Sequence, residues 1–190
     1  MNRRVFHSSH HGRDAWRVSV VRSMGVVEGQ RLLEPNLWQK VEHQSQLAIK
    51  RWIDAQMTGK SCVVVLIGAE TATRYWVKYE IRKAWQANKG VVGIHIHRSN
   101  NPDGTQDARG RNPLDDISVG HPRLRLSLLA KTYEPPTVTS RATYAYIKSH
   151  LETWVEEAIA IRRAHNARLR RARPLSASRR NSLLIRPPRP

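Results

Sequence analysis

The sequence predicts an α/β domain with a central, mainly parallel sheet. Residues 61–67 form a continuous apolar, mostly β-branched run between Gly59 and Gly68, which is typical of a parallel strand covered on both faces. A helical pattern follows to about Asn88, and a second apolar run occupies residues 91–97. A strand, a helix and a strand within about 37 residues have the length of a right-handed βαβ unit. The two strands are therefore expected to be parallel neighbours.

The elements that precede this unit are less regular. Residues 4–6 predict a first strand, residues 7–12 a polar loop, and Asp14 the N-cap of a helix. Scattered valines predict one or two extended segments within residues 17–38, with a turn at Pro35-Asn36. A helix over residues 40–57 is indicated by apolar side chains at helical spacing, namely Ile49, Trp52, Ile53 and Met57.

The later elements are predicted in the same way. The helix of the βαβ unit carries a core stripe formed by Val77, Ile81, Ala84 and Trp85. Residues 98–139 are rich in Asn, Asp, Gly and Pro and predict a long surface excursion with one edge strand at residues 124–129. A long final helix is indicated by apolar residues spaced three and four positions apart, namely Tyr144, Ile147, Leu151, Trp154, Ala158 and Ile161.

The positive charge of the chain is concentrated near its end. The 190 residues carry a formal net charge of +18. Residues 162–190 contain ten Arg and no acidic residue, so this stretch carries +10 and leaves +8 for the rest. Its prolines and serines predict disorder from about residue 168, because such a composition buries too little apolar surface to offset chain entropy. We expect one domain over residues 1–165 and an Arg/Pro-rich tail over residues 166–190.

Composition also excludes several classes of protein. The single cysteine, Cys62, excludes an intramolecular disulfide and a cysteine-rich zinc site. The longest apolar run is far shorter than the roughly 20 residues that span a bilayer, and the first residues lack the apolar core of a signal peptide. The chain is therefore expected to be cytoplasmic, with no membrane span.

The predicted topology indicates where a ligand would bind. In an open parallel sheet, ligands bind beyond the carboxyl ends of the strands, so the loops after Phe6, Ile67 and His97 are expected to converge on one crevice. Trp76 and Glu80 lie four positions apart in the first two turns of the helix after the central strand. An aromatic ring and a carboxylate are thus expected to project together near that crevice.

These residues carry a resemblance to a known family. The segment WVKYE at residues 76–80, following IGAET at residues 67–71, resembles the tryptophan-to-glutamate helix of TIR domains. The likeness is closest to the bacterial TIR-like proteins of the Thoeris anti-phage defence system. The likeness extends over roughly residues 3–160, where the matching segments occur in the same order, and residues 64–93 are its most specific part.

The resemblance implies a flavodoxin-like three-layer sandwich that binds NAD+ and breaks its nicotinamide–ribose bond. NAD+ is then the substrate and no cofactor is required. The product implied is a cyclic ADP-ribose-type signal that reaches a downstream effector by diffusion, and a homo-oligomer is an open expectation. Loss of nicotinamide leaves an oxocarbenium-like ribose, which a nearby carboxylate stabilises. The residue types present therefore agree with the implied reaction.

Roles for individual residues follow from the same resemblance. Glu80 is the implied catalytic carboxylate. Trp76 would stack on the nicotinamide or ribose, Phe6 would form the floor of the site, and Ser8 would contact phosphate or hydroxyl oxygens. The other first-loop residues complete the predicted substrate-binding set, namely His7, Ser9 and His10.

Two other classes of function remain open at this point. One is a TIR-like module without enzymatic activity, which binds a nucleotide or associates with itself. The other is binding of nucleic acid or an anionic surface through the arginines of the tail. A metal site at His7, His10 and His11 is disfavoured, because no cysteine or pair of carboxylates completes a ligand set. His95 and His97 are expected to pack or to form hydrogen bonds.

Overall fold

A computed structural model describes residues 3–10, 12–27, 41, 43–120 and 123–172. The strands are, in chain order, β1 (Val5–Ser8), β2 (Cys62–Ile67), β3 (Gly90–His95), β4 (Ser118–Val119), β5 (Leu124–Arg125) and β6 (Thr132–Tyr133). The helices are α1 (Ala15–Arg22), α2 (Gln46–Met57), α3 (Tyr75–Gln86) and α4 (Ser140–Ala172). Four strands form one parallel sheet in the order β1, β2, β3, β6. The predicted α/β class and the predicted βαβ unit are confirmed.

The sheet lies between two layers of helices. Side chains alternate along β2, so Val63 and Val65 pack against α2 and α3, whereas Val64 and Leu66 pack against α1 and α4. Every residue of β2 is buried, because both faces of this strand are covered. Each large apolar side chain buried in these layers contributes about 1.5–3 kcal/mol before entropy is counted. The flavodoxin-like three-layer arrangement implied by the resemblance is therefore present.

Helices α2 and α3 contain the predicted apolar stripes, but their first or last residues differ from those predicted. Helix α2 begins after Ser45, whose hydroxyl accepts a hydrogen bond from the backbone N–H of Ala48 at 3.3 Å, and not at residue 40. It ends just before Gly59, which has a φ of +71°. Helix α3 follows a 3-10 turn and ends at Gln86 rather than Asn88, because Asn88 has a left-handed φ of +59°. The predicted core stripe of α3 is buried.

The prediction of extended segments within residues 17–38 is wrong for the described residues of that range. Residues up to Arg22 belong to helix α1, and residues 26–27 form a bend. Val18 and Val21, three positions apart, pack into the layer under α4, so tertiary packing outweighs the preference of valine for strands. The remainder of this segment and the predicted turn at Pro35-Asn36 lie outside the described residues.

The segment between β3 and α4 also differs from the prediction. The strand expected at residues 124–129 is a two-residue strand, β5, which pairs with β4 in an antiparallel ribbon, followed by a 3-10 turn at Leu126–Leu128. The strand that extends the main sheet is β6, which pairs with Gly93 and Ile94 of β3. Two residues are too few to display the alternation by which a strand is recognised.

Helix α4 extends past the predicted end of the domain. It crosses residue 165 and continues to Ala172, so the disorder expected from residue 168 is corrected for residues 168–172, and residues 173–190 lie outside the described part. Arg162 is buried, and its guanidinium lies 4.1 Å from the centroid of the Trp85 ring. It also donates hydrogen bonds to the Trp85 carbonyl (2.7 Å) and to Asn88 Oδ1 (2.9 Å). The first arginine of the basic segment therefore belongs to the core.

No helix among the described ranges is both long and apolar enough to cross a membrane.

Replacement of Arg162 by Ala tests the role of this arginine in the fold. The variant loses a cation–π contact and two charge-assisted hydrogen bonds, so we expect the free energy of unfolding to fall by about 1–3 kcal/mol. The neighbouring Arg163 is exposed, and its replacement by Ala should change the free energy by less than about 0.5 kcal/mol. Urea unfolding followed by circular dichroism makes the comparison, and equal effects of the two substitutions would contradict this role.

Candidate functional site

A buried carboxylate lies at the carboxyl end of β1. Glu80 is in the second turn of α3, and its side chain is fully buried. Ser8, the last residue of β1, donates its hydroxyl hydrogen to Glu80 Oε2. Val77 and Ile81 hold the inner face of α3 on the sheet, and Glu80, next to Ile81, is directed toward the edge of that sheet at β1. Glu80 is therefore not a solvated surface carboxylate.

An arginine that the sequence analysis missed lies near this carboxylate. Burial lowers the pKa of Arg22, and the neighbouring charge of Glu80 raises it in part. Arg22 is the last residue of α1, in the segment that was predicted to be extended. An arginine in the last turn of a helix is a recognisable signal, but only once the helix itself has been identified. The site thus contains a cation as well as the carboxylate.

The alternation of side chains along β1 divides the predicted substrate-binding residues. Phe6 and Ser8 pair with Val63 and Val65, so they lie on the face that is covered by α2 and α3, together with Glu80. His7 lies on the opposite face, which is covered by α1 and α4. Burial lowers the pKa of His7 to about 3, with smaller contributions from neighbouring cations, so its imidazole is neutral near pH 7. The structure brings Phe6 and Ser8 to the side of Glu80, but not His7.

Trp76 lies in an aromatic cluster on the first turns of α3. It is half-buried, and its ring makes edge-to-face contacts with Tyr75 at 4.9 Å and Tyr79 at 5.9 Å between centroids. The Tyr79 hydroxyl donates to Asp54 Oδ1 on α2 at 3.1 Å. The two tyrosines were missed by the sequence analysis, although both lie inside the motif region. Trp76 is held in place on two sides and is still partly open to solvent.

The first loop is organised by one of its histidines. The Nδ1 atom of His10 accepts hydrogen bonds from the backbone N–H groups of Gly12 (3.2 Å) and Arg13 (2.9 Å). Its ring therefore closes the turn, and burial lowers its pKa. Ser9 is buried, and its hydroxyl has no hydrogen-bond partner within the described residues. His11 lies outside those residues.

An ion network joins the first loop to the segment after β3. Arg17 and Asp14 are fully buried, and Arg17 Nη1 contacts both Asp14 Oδ1 at 3.0 Å and the carboxylate of Asp107. Arg17 Nε also donates to the carbonyl of Ser99 at 2.8 Å. Asp14 occupies the predicted N-cap position of α1, but its side chain makes no capping bond to the helix, and its carboxylate pairs with Arg17 instead. Burial raises the pKa of Asp14.

A second arginine extends this network to the surface. Arg13 contacts Asp107 Oδ1 at 3.0 Å and Glu70 Oε1 at 2.7 Å. Hydrogen bonds from Arg13 and Arg17 lower the pKa of Asp107 to about 2. The exposed pair with Glu70 contributes little stability, whereas the buried part of the network is costly to break. Asp107 is the shared acceptor, and nothing in the sequence indicated it.

Two glycines allow the loops at this edge of the sheet to approach closely. A Cβ atom at Gly68 would lie 2.3 Å from the Asp14 carboxylate oxygens, and one at Gly110 would lie 2.0 Å from the Gly68 carbonyl oxygen. The segment after β3 therefore rests directly on the loop after β2. Together with the ion network, these contacts confirm that the loops after β1, β2 and β3 meet at one edge.

His95 lines a cavity that is separate from the Ser8–Glu80 pair, and its ring contacts that of His97. The cavity has a volume of about 380 Å³ and is lined by His95, Arg109, Arg111, Asn112, Asp115, Thr132 and Glu134. The two histidine rings stand edge to face at 5.9 Å, and His97 Nε2 lies 3.6 Å from Glu134 Oε1. Burial lowers the pKa of His95 to about 4. No residue of the Ser8–Glu80 pair lines this cavity.

In the part of the chain that the structure describes, no group of three His, Cys, Asp or Glu side chains is placed to hold a metal ion. The chemistry that the site offers lies in Glu80 itself. A carboxylate fixed by a hydroxyl group, beside a half-open indole ring, can stabilise positive charge that develops on a sugar ring.

The chain is similar in sequence to known proteins. The family model described as Thoeris protein ThsB, TIR-like domain, matches residues 6–101, which is just over half of the chain. The match includes Phe6, Ser8, Trp76 and Glu80. A protein of Bacillus cereus (strain MSX-D12) named "Putative cyclic ADP-D-ribose synthase ThsB1" is 35% identical over 121 residues. The alignment covers 60% of this chain and 62% of that relative, so the chain spans about three fifths of the relative's length.

Replacement of Asp107 by Asn tests the ion network. Hydrogen bonds from the arginines lower the pKa of the Asp107 carboxyl group from 3.8 to about 2. The native state therefore favours the charged carboxylate. This stabilisation is complete above about pH 4 and is lost as the pH falls toward 2. We expect the variant to be less stable by about 1–3 kcal/mol at pH 7. The difference from wild type should shrink between pH 4 and pH 2 in urea unfolding. The exposed Asp115→Asn variant is the control, and a difference that does not depend on pH would contradict the assignment.

Proposed function

The chain belongs to the family of the Thoeris protein ThsB TIR-like domain, and we propose that it is an enzyme that consumes NAD+ in anti-phage defence. In this proposal it breaks the nicotinamide–ribose bond and forms a cyclic ADP-ribose-type signal, which acts on a downstream effector. The observation that carries the proposal is the buried Glu80 carboxylate, which accepts a hydrogen bond from Ser8 at the carboxyl end of β1. The printed name of the Bacillus cereus relative supports the same class of reaction.

The proposed reaction needs one carboxylate from the protein. As the bond between ribose C1′ and the nicotinamide nitrogen breaks, its electron pair leaves with the nicotinamide, which becomes neutral. The ribose carries the positive charge that remains, and Glu80 stabilises it electrostatically. A nucleophilic atom of the same substrate then closes the ring at C1′. Each tenfold rate increase requires about 1.4 kcal/mol of such stabilisation.

The neighbouring side chains have supporting roles in this proposal. Ser8 positions Glu80 through its hydroxyl group. Trp76, half-buried between two tyrosines, offers its open side to the nicotinamide or ribose ring. Phe6 lies under the site as its floor, and Ser9 and His10 border the substrate from the first loop. His7 lies on the other face of the sheet, and the proposal assigns it no contact with the substrate.

The central test compares wild type with the Glu80→Gln variant. The amide keeps the size of the side chain but removes its charge, so nicotinamide release from NAD+ should fall by at least about 10²-fold. Nicotinamide and the nucleotide product are measured by mass spectrometry, with purified full-length protein and in phage-infected cells.

The control for this test is Glu152→Gln on the exposed side of α4, which should retain full activity. Thermal unfolding of both variants separates loss of chemistry from loss of fold. Equal NAD+ turnover by wild type and Glu80→Gln would refute the proposal. Tight binding of ADP-ribose by the wild type without any nicotinamide release would favour a binding module instead.

A second test examines the positioning role of Ser8. Ser8→Ala removes the hydroxyl that holds Glu80 Oε2, and a misplaced carboxylate stabilises the transition state less well. We expect kcat to fall about tenfold with KM changed less than about twofold, because the interaction acts on the reacting charge rather than on substrate binding. Ser23→Ala, at an exposed position after α1, is the control. A change in KM alone would indicate direct contact with the substrate rather than positioning.

A further inference from the structure

The last turns of α4 project beyond the domain. Arg162 is the last buried residue of the helix, and His165 lies against the Trp85 ring at 5.3 Å between centroids. Residues 167–172 are all exposed. At 1.5 Å per residue, the helix from Arg163 to Ala172 is about 15 Å long. A helical segment is thus attached to the core at one end and open to solvent over most of its length.

The exposed arginines of this segment share one side of the helix. They are Arg163, Arg168, Arg170 and Arg171, and we refer to them as the arginine ridge. At 3.6 residues per turn they fall within an arc of about 160°. The opposite arc contains His165, Asn166 and Leu169, and the last two border a cavity of about 410 Å³ together with Asn88 and Arg170, which lies at the margin of the ridge. Arg163, Arg168 and Arg171 therefore lie on the side of the helix away from this cavity.

The charge of the ridge has little local compensation. The last acidic residue in the sequence is Glu157, and the ridge is followed by five further arginines before the end of the chain. Glu156 is the acidic neighbour of Arg163, which contributes to lowering the pKa of Glu156. No carboxylate of the described residues forms an ion pair with Arg168, Arg170 or Arg171. Cations near the C-terminal end of a helix are also favoured by the helix dipole.

The chemistry of the ridge favours phosphate groups as its partner. All ten cationic residues of the segment 162–190 are Arg and none is Lys, and guanidinium groups bind phosphate oxygens in a bidentate manner. This segment contains no Phe, Trp or Tyr, so it has no platform on which bases could stack. On the described part of the projecting helix, Leu169 is the one large apolar side chain, whereas helices that lie in a membrane surface have a broad apolar face.

We propose that the arginine ridge is a binding surface for the sugar-phosphate backbone of nucleic acid, without sequence preference. The proposal does not depend on the NAD+ reaction, because the ridge shares no residue with the Glu80 site. Each arginine that neutralises a backbone phosphate releases counterions, so the affinity should fall steeply with salt concentration. This salt dependence is the quantitative signature of the surface.

The experiment measures binding of the full-length protein to a fluorescein-labelled 20-base-pair DNA duplex by anisotropy over a range of NaCl concentrations. In one variant the four ridge arginines are replaced by Gln. In the matched control, four exposed arginines elsewhere are replaced by Gln, namely Arg51, Arg82, Arg125 and Arg141, so the net charge is the same. Circular dichroism verifies that both variants are folded. Vesicles with and without phosphatidylserine provide a competing anionic surface.

We expect the ridge variant to bind DNA at least tenfold more weakly at 100 mM NaCl. The slope of log affinity against log salt should decrease in magnitude by about 3–4, since each duplex phosphate contact contributes about 0.9. The control should change the slope by less than about 1. An equal loss in both variants, an unchanged ridge variant, undetectable binding by wild type, or binding to phosphatidylserine vesicles alone would each overturn the proposal.

Discussion

The hydrogen bond between Ser8 and the buried Glu80 carboxylate is the interaction on which the site depends. A carboxylate without solvent is unfavourable unless polar groups and opposite charge surround it. The fold supplies a hydroxyl from the end of β1 and a nearby cation from the end of α1. Both groups reach Glu80 only because β1 is parallel to β2 and α3 packs across the same sheet. The geometry of the site is therefore a direct consequence of the sheet topology.

The loops around this carboxylate are held by ionic contacts rather than by a continuous apolar core. Arg17 links Asp14 at the end of the first loop to Asp107 in the segment after β3. Gly68 and Gly110 remove the side chains that would keep these loops apart. Removing one partner of such a network leaves a buried charge without compensation. The resulting loss of folding stability is larger than the stability that the ion pair contributes. The network thus favours one arrangement of this edge of the sheet, as the proposed orientation of a ribose ring requires.

The sequence predicted the regular, strongly patterned elements and the central carboxylate. Residues 62–67 are recognisable as a continuous apolar run and the stripe of α3 by its helical period, whereas the role of Glu80 beside that stripe came from the resemblance to TIR domains. A helix after Asp14 was predicted, but residues 17–22 of α1 were assigned to extended segments because its valines favour strands locally, and Arg22 was missed with them. Asp107 is 90 positions from Arg17, and β6 has two residues, so neither leaves a local pattern. Contacts between distant segments depend on packing that local spacing does not encode.

In the proposed reaction, Glu80 faces the ribose of the scissile bond. A crystal structure of the Glu80→Gln variant with intact NAD+ tests this claim most directly, since the substitution preserves the shape of the site and slows turnover. We expect the ribose next to the nicotinamide to lie within hydrogen-bond distance of the side chain at position 80, with Trp76 against the nicotinamide or the ribose. NAD+ bound elsewhere, with its ribose more than about 6 Å from position 80, beyond direct hydrogen bonding, would contradict the account.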